Sequence, residues 1–246
     1  MSISEKLQLL FPSTIFNVNI DGLGSSIVSV TITNKTEGDV ICVKFTIKGQ
    51  PQGIIQLNSL LKCSDTGDDG TGTALLSKVE TFARQIGITH ITLADESNIY
   101  ICGNQINLAH FKILTTGMSW YNKLGYVSSR HASDMIANTA FIASPIATQL
   151  KPEITTTFPP APPDETVQSY VTRIFNSIRQ QEPQCSEEDK ARGKYLQMIV
   201  NHLKGEISYN NKLTKELLPT QQRAGRRKLR TKRKKPNKKK RTRKHK

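Results

Sequence analysis

Residues 54–87 read IIQLNSLLKCSDTGDDGTGTALLSKVETFARQIG. The first eight, Ile54 to Leu61, form an apolar, extended segment typical of a strand. A turn-rich loop at 64–73 leads directly into a helix that ends at Gly87. Such a strand, glycine-rich turn and helix can cradle a phosphate, because backbone N–H groups converge at the positive helix N-terminus. A flexible turn before a helix is the alternative interpretation.

The flanking sequence supplies further strands. Upstream, apolar residues alternate with polar ones over 16–20, 28–32 and 41–47, which predicts three half-buried strands. Downstream, 88–95 predicts a strand, 118–124 a short helix ended by Gly125, and Tyr126 with Val127 the start of another strand. This order predicts a mixed α/β (α+β) fold, in which helices flank a central sheet.

Two of these segments resemble motifs of the GNAT superfamily of acetyl-CoA-dependent N-acetyltransferases. Residues 70–76, GTGTALL, look like the acetyl-CoA signature of that family, and residues 119–126, SWYNKLGY, look like its C-terminal motif. The segments occur in the family's order, roughly fifty residues apart. The resemblance covers about residues 25 to 130 and implies a GNAT-like mixed sheet.

The resemblance also implies roles for matched positions, with acetyl-CoA as cofactor. The extended backbone from Leu57 through Leu60 to Leu61 would pair with the pantetheine arm. Tyr121 would be the general acid that protonates the leaving thiolate after direct attack by an amine; a packing role for Tyr121 is the alternative. The backbone N–H groups expected to hold the pyrophosphate are those of Gly70, Thr71, Gly72, Thr73 and Ala74.

The sequence departs from the family pattern at three points. Gly67 stands where the family has Gln or Arg, and Asp65, Asp68 and Asp69 crowd the loop, where their charge opposes phosphate. The 54–61 strand lacks the acidic residue that often serves as the base, so we take Glu96 as the candidate base, with Asp95 beside it. A solvated end of the 88–95 strand is the alternative interpretation of these two carboxylates. Residues 21–26 are too few for the two helices that shape the acceptor pocket in the family, so the acceptor amine is not identified.

The cysteines and the apolar runs indicate in which cellular compartment the protein is expected. Cys42, Cys63, Cys102 and Cys185 form no CxxC pair and no Cys/His ladder. We therefore expect neither a metal site nor a disulfide framework, and predict reduced thiols in an intracellular protein. No apolar run is long enough to span a bilayer, so we expect no membrane partner.

Beyond the predicted GNAT-like domain, residues 1–150, the chain changes character. A Pro-rich linker at 151–165 precedes an amphipathic helical segment at 166–218, which contains two predicted helices. Residues 219–246 are predicted to be a disordered basic tail. Of residues 223–246, 16 of 24 are Lys or Arg, which leaves 19 basic against 20 acidic residues elsewhere.

The tail predicts nonspecific binding to DNA or RNA and is typical of a nuclear localisation signal. The abundance of Ile, Asn, Lys and Thr would also suit a viral protein located in the host nucleus or the virion. Two hypotheses result: an acetyltransferase with a basic tail, or a catalytically inactive GNAT-like protein that binds or packages nucleic acid. The predicted nucleic-acid-binding residues are Arg226, Arg227, Lys228, Arg230, Lys232, Arg233, Lys234, Lys235, Lys238, Lys239, Lys240 and Arg241.

Overall fold

The structure is a computed structural model that describes residues 1–36, 38, 40–49, 53–63, 71–150, 161–178 and 185–217. Several predictions concern residues outside these ranges. They are the loop before Thr71 with Gly70 and the three aspartates, the Pro-rich segment up to residue 160, and the basic tail with all twelve of its predicted binding residues.

A six-stranded mixed sheet forms the centre of the main body; the sequence predicted a central sheet and five of these six strands. Its strands are β1 (Phe16–Asp21), β2 (Ile27–Asn34), β3 (Val40–Lys48), β4 (Ile54–Leu60), β5 (His90–Ala94) and a last strand, Lys212–Glu216. Numbered in chain order the last strand is β8, and the sheet order is β1-β2-β3-β4-β5-β8. Only β4 and β5 run parallel; the other neighbours are antiparallel. A parallel pair needs a crossover connection, and the glycine-rich loop with its helix supplies it.

Two helices cover one face of this sheet. Helix α1 (Ile3–Leu10) begins at a capping box between Ser2 and Glu5, and α2 (Gly72–Gln85) packs its apolar stripe beside it. Alternate residues of β2 and β3 point into the same layer, which we call the main core. The predicted absence of helices between the first two strands is confirmed, because residues 22–26 turn directly from β1 into β2.

A second core lies beside the main body. Its elements are the hairpin β6 (Asn98–Ile101) and β7 (Asn104–Asn107), then α3 (Leu108–Thr116), α5 (His131–Ile142), α6 (Val167–Ser177) and α7 (Glu187–Leu203). The short helix α4 (Trp120–Lys123) lies between α3 and α5 and packs on the main core. The predicted amphipathic helices α6 and α7 are confirmed; they pack on each other and on α3, and together these elements form the second core.

Two predicted elements need correction. The segment 166–218 is not helical throughout, because residues 212–216 pair with β5 as β8 and belong to the central sheet. Residues 126–127 do not start a strand; Val127 makes a single bridge to Thr214. The sheet position beside β5 is thus filled from the far end of the chain.

The prediction of reduced cysteines is wrong for this structure. Cys42 is joined to Cys63, and Cys102 to Cys185, with Cα atoms 5.6 Å and 5.5 Å apart. The first bond ties β3 to the chain that leaves β4, and the second ties the β6–β7 turn to the start of α7. Sequence spacing gave no sign of either pair, because their partners meet only when the sheet and the second core form. None of the described helices is long and apolar enough to cross a membrane.

Candidate functional site

The parallel strands β4 and β5 separate part-way along their length. They pair from Ile54 with His90 to Leu57 with Leu93, and β4 then continues to Leu60 with no strand on that side among the described residues. The register between β3 and β4 shifts at this point and leaves Asn58 as an extra residue, a β-bulge that bends the strand. The separation exposes a strand edge with backbone N–H and C=O groups facing a gap.

A pocket of about 290 Å³ occupies this gap. Five of the residues that the sequence analysis proposed for catalysis or cofactor binding line it together: Leu57, Leu60, Leu61, Glu96 and Tyr121. Leu57 and Leu60 belong to β4 and Leu61 follows it, Glu96 comes after β5, and Tyr121 comes from α4. Residues predicted from three separate segments therefore meet at one opening of the sheet.

Tyr121 forms the inner wall of the pocket. Its side chain is only 7 % exposed, and its ring makes edge contacts with Trp120 and Tyr126. Burial, together with the charge of Asp95, raises the pKa of Tyr121 above its usual value. The phenol keeps its proton at neutral pH, and its ring contacts give Tyr121 the packing role that the sequence left open.

The two adjacent carboxylates have different surroundings. Glu96 is exposed and lines the pocket. Asp95 is 3 % exposed and accepts hydrogen bonds from the Tyr209 hydroxyl at 2.6 Å and the Ser97 hydroxyl at 2.5 Å. Glu96 is therefore the more exposed of the two carboxylates, whereas Asp95 is held by hydrogen bonds to neighbouring hydroxyl groups.

The start of α2 lies close to the same region. Thr71 is the N-cap, and its hydroxyl accepts a hydrogen bond from the Ala74 N–H at 3.2 Å. The N–H groups of Gly72 and Thr73 belong to the first turn, where a helix offers no backbone acceptor. Gly72 faces Trp120, since a Cβ at Gly72 would lie 3.4 Å from the indole ring. The helix N-terminus is thus placed next to the segment that carries Tyr121, while Gly70 lies outside the described residues.

A second cavity, of about 550 Å³, opens on the other side of Glu96. Its walls include Asp95, His110, Arg130 and Tyr209, and Glu96 lines both cavities. Burial, with a smaller contribution from Lys204, lowers the pKa of His110, so this imidazole is neutral at pH 7. Tyr209 was not predicted as a site residue, because more than one hundred residues separate it from Asp95 and no local pattern indicates that they meet.

No protein-family model matches the chain. No curated protein matches it either. Across the described residues, no group of three or more His, Cys, Asp or Glu side chains is arranged to hold a metal ion.

Proposed function

We propose that this chain is an acetyl-CoA-dependent N-acetyltransferase that transfers an acetyl group directly to an amine. The observation that supports this most strongly is the gap between β4 and β5, in which a free strand edge, a buried phenol and an accessible carboxylate face one pocket. The resemblance of residues 70–76 and 119–126 to GNAT motifs is consistent with it, since Tyr121 of the second segment lines the pocket.

The residues present fit the cofactor. Its pantetheine arm carries amide groups, which can pair with the unpaired edge of β4 at Asn58 to Leu60 as an added strand would. Its phosphates suit the first turn of α2, where N–H groups and the helix dipole favour negative charge. The bound cofactor would supply an acetyl group activated as a thioester.

Two side chains then have separate tasks in proton transfer. Glu96 accepts a proton from the acceptor amine, because it is the exposed carboxylate of the pocket. Tyr121 donates its proton to the departing sulfur, because it is the phenol that lines the pocket. The attack needs no covalent intermediate on the protein.

The basic tail is the part of the chain that we propose binds nucleic acid. Its 16 Lys and Arg residues within residues 223–246 would bind DNA or RNA without sequence preference and direct the protein to nucleic acid or the nucleus.

Calorimetric titration of the full chain with acetyl-CoA tests the proposal. The full chain is needed because β8 and Tyr209 come from beyond residue 200. The variant Thr73→Glu separates cofactor binding from folding. Thr73 is exposed in the first turn of α2, where a carboxylate stabilises the helix but repels the phosphates of the cofactor. We expect acetyl-CoA affinity to fall about fivefold or more, since like charges near 4 Å cost about 1 kcal/mol even in water.

Ser77→Glu is the matched control, because Ser77 is exposed one turn further along the same helix. It should bind acetyl-CoA as the unmodified chain does. Absence of binding by the unmodified chain at millimolar acetyl-CoA would overturn the enzyme proposal.

The second candidate function is a catalytically inactive GNAT-like protein that binds or packages nucleic acid. The density of charge in the tail favours it, because nucleic-acid binding of this kind needs no pocket. It predicts full DNA affinity together with no acetyl-CoA binding, so the same titration separates the two candidates.

A further inference from the structure

We propose that Tyr209 is a positioning residue of the candidate site, through which the second core holds the segment that carries Tyr121. This inference rests on the proposed acetyltransferase function for its kinetic consequence, but its structural part can be tested separately. Tyr209 lies between α7 and β8, in the segment that returns from the second core to the central sheet.

Tyr209 connects the two cores. Its side chain packs against the buried residues of both the main core and the second core. Two residues further on, the backbone carbonyl of Asn211 accepts a hydrogen bond from the Asp95 N–H at 2.8 Å. The returning segment therefore contacts the end of β5 through both a side chain and its backbone.

The hydroxyl of Tyr209 links the end of β5 to α4. It donates to the Asp95 carboxylate at 2.6 Å, and Ser119 Oγ lies 3.4 Å from the same oxygen. Because its only proton points to Asp95, the phenol oxygen is left to accept from the Ser119 hydroxyl. Asp95 and Ser119 are 3 % and 0 % exposed, so water does not replace these bonds readily.

Ser119 connects the Tyr209 hydroxyl to the helix that contains Tyr121. It is the N-cap of α4, where its Oγ accepts from the Asn122 N–H at 3.2 Å while Asn122 Oδ1 accepts from the Ser119 N–H at 3.3 Å. Tyr121 is the second residue of this four-residue helix. So short a helix has little stability of its own, and its placement depends on its cap and its packing. A shift of the cap would move the Tyr121 hydroxyl relative to the pocket.

The test compares Tyr209→Phe with Tyr170→Phe in the full chain. Tyr209→Phe keeps the ring that packs on both cores and removes only the hydroxyl. Tyr170→Phe is the matched control: it also removes a buried hydroxyl, bonded at 2.6 Å to the hydroxyl of Tyr195, but within the second core and away from the pocket.

Trp120 is the only tryptophan of the chain and the first residue of α4, so its fluorescence reports the placement of this helix. We expect Tyr209→Phe to shift Trp120 emission to longer wavelength and Tyr170→Phe to leave it unchanged. With acetyl-CoA and poly-L-lysine as the probe amine, Tyr209→Phe should lower kcat about tenfold or more and leave the KM for acetyl-CoA nearly unchanged, because a small displacement of a reacting group is costly.

A Ser119→Ala variant shows whether the effect passes through the cap. If it does, the double variant with Tyr209→Phe should lose no more activity than the more impaired single variant. Equal emission and equal kcat for Tyr209→Phe and Tyr170→Phe would overturn the inference while the proposed function stands. If the unmodified chain shows neither binding nor turnover of acetyl-CoA, the proposed function fails, and the Trp120 emission alone decides the role of Tyr209.

Discussion

The ammonium group of Lys215 lies 2.6 Å from the carboxylate of Glu80, and this ion pair joins β8 to α2. Both side chains are mostly buried, at 18 % and 12 % exposure. Glu80 also accepts a hydrogen bond from the Tyr126 hydroxyl at 3.3 Å, and Lys215 donates to the Leu124 carbonyl at 2.7 Å. The helix at the candidate phosphate site is thereby attached to the last strand of the sheet.

Glu80→Gln should destabilise the fold by about 2 kcal/mol or more, because it leaves a largely buried ammonium without its carboxylate. Chemical denaturation measures the change. Glu187→Gln is the control: its carboxylate pairs with Lys190 at 2.7 Å but is 89 % exposed. Exposed pairs contribute little, so this variant should lose less than about 1 kcal/mol. Equal losses in the two variants would contradict the role assigned to Glu80.

The two disulfides should be present in protein that has not been reduced. Thiol titration of the unfolded, unreduced chain should then find no free cysteine, although the sequence has four. The bond between Cys102 and Cys185 closes a long loop, with a separation of 83 residues. Replacing both cysteines with serine should cost about 2–4 kcal/mol of stability. Finding four free thiols would show that the protein folds with its cysteines reduced.

The elements with strong local patterns could be predicted from the sequence. The alternation in β2 and β3 and the stripes of α6 and α7 each follow the period of the observed element. The hairpin β6–β7 was missed because its turn is Cys102-Gly103, with φ of 50° and 80°, rather than the usual Asn-Gly.

Contacts between distant segments could not be predicted. The end of β4, Glu96 and Tyr121 could be proposed as site residues from the sequence. The segments 70–76 and 119–126, which resemble known motifs, lie on either side of Glu96; the first of them follows β4, and the second contains Tyr121. Strand β8 could not be predicted, because its residues 212–216, KLTKE, alternate only weakly between apolar and polar. Its partner β5 also precedes it by more than one hundred residues. Tyr209 was missed for the same reason, because its role comes from where β8 attaches.

Tyr121→Phe should lower kcat at least about a hundredfold if its hydroxyl protonates the departing thiolate, since general acid catalysis contributes about 10² to 10⁴ in rate. The KM for acetyl-CoA should change little, because the ring still fills the pocket wall. Glu96→Gln should also lower kcat. His131→Phe is a suitable control, because His131 lies at the start of α5 and lines neither cavity. Unchanged turnover in Tyr121→Phe would remove its proposed role.

Removal of residues 218–246 should leave unfolding by denaturant unchanged, because the main and second cores lie within residues 1–217. It should sharply weaken DNA binding and flatten its salt dependence, since each phosphate contact contributes a slope of about −0.9 in log K against log salt. A tail of the same length with its Lys and Arg residues changed to Gln separates charge from chain length. Equal DNA affinity with and without the tail would contradict its proposed function.

The stability of the fold should decrease at high pH. Burial is the largest cause that raises the pKa of four tyrosines, Tyr121, Tyr126, Tyr170 and Tyr209. In the unfolded chain each phenol ionises near pH 10, whereas in the fold it stays protonated to higher pH. The unfolded state then binds fewer protons, so stability is complete below about pH 10 and is lost above it.

Each of these tyrosines should contribute a slope of about 1.4 kcal/mol per pH unit in this range. Denaturation at a series of pH values measures the total slope, and ultraviolet absorbance of phenolate shows whether ionisation accompanies unfolding. Tyr170→Phe should reduce the slope by one such contribution, because it removes one of the four phenols without opening the candidate site. A free energy of unfolding that stays constant through this range would mean that the four hydroxyls are not buried as the structure shows.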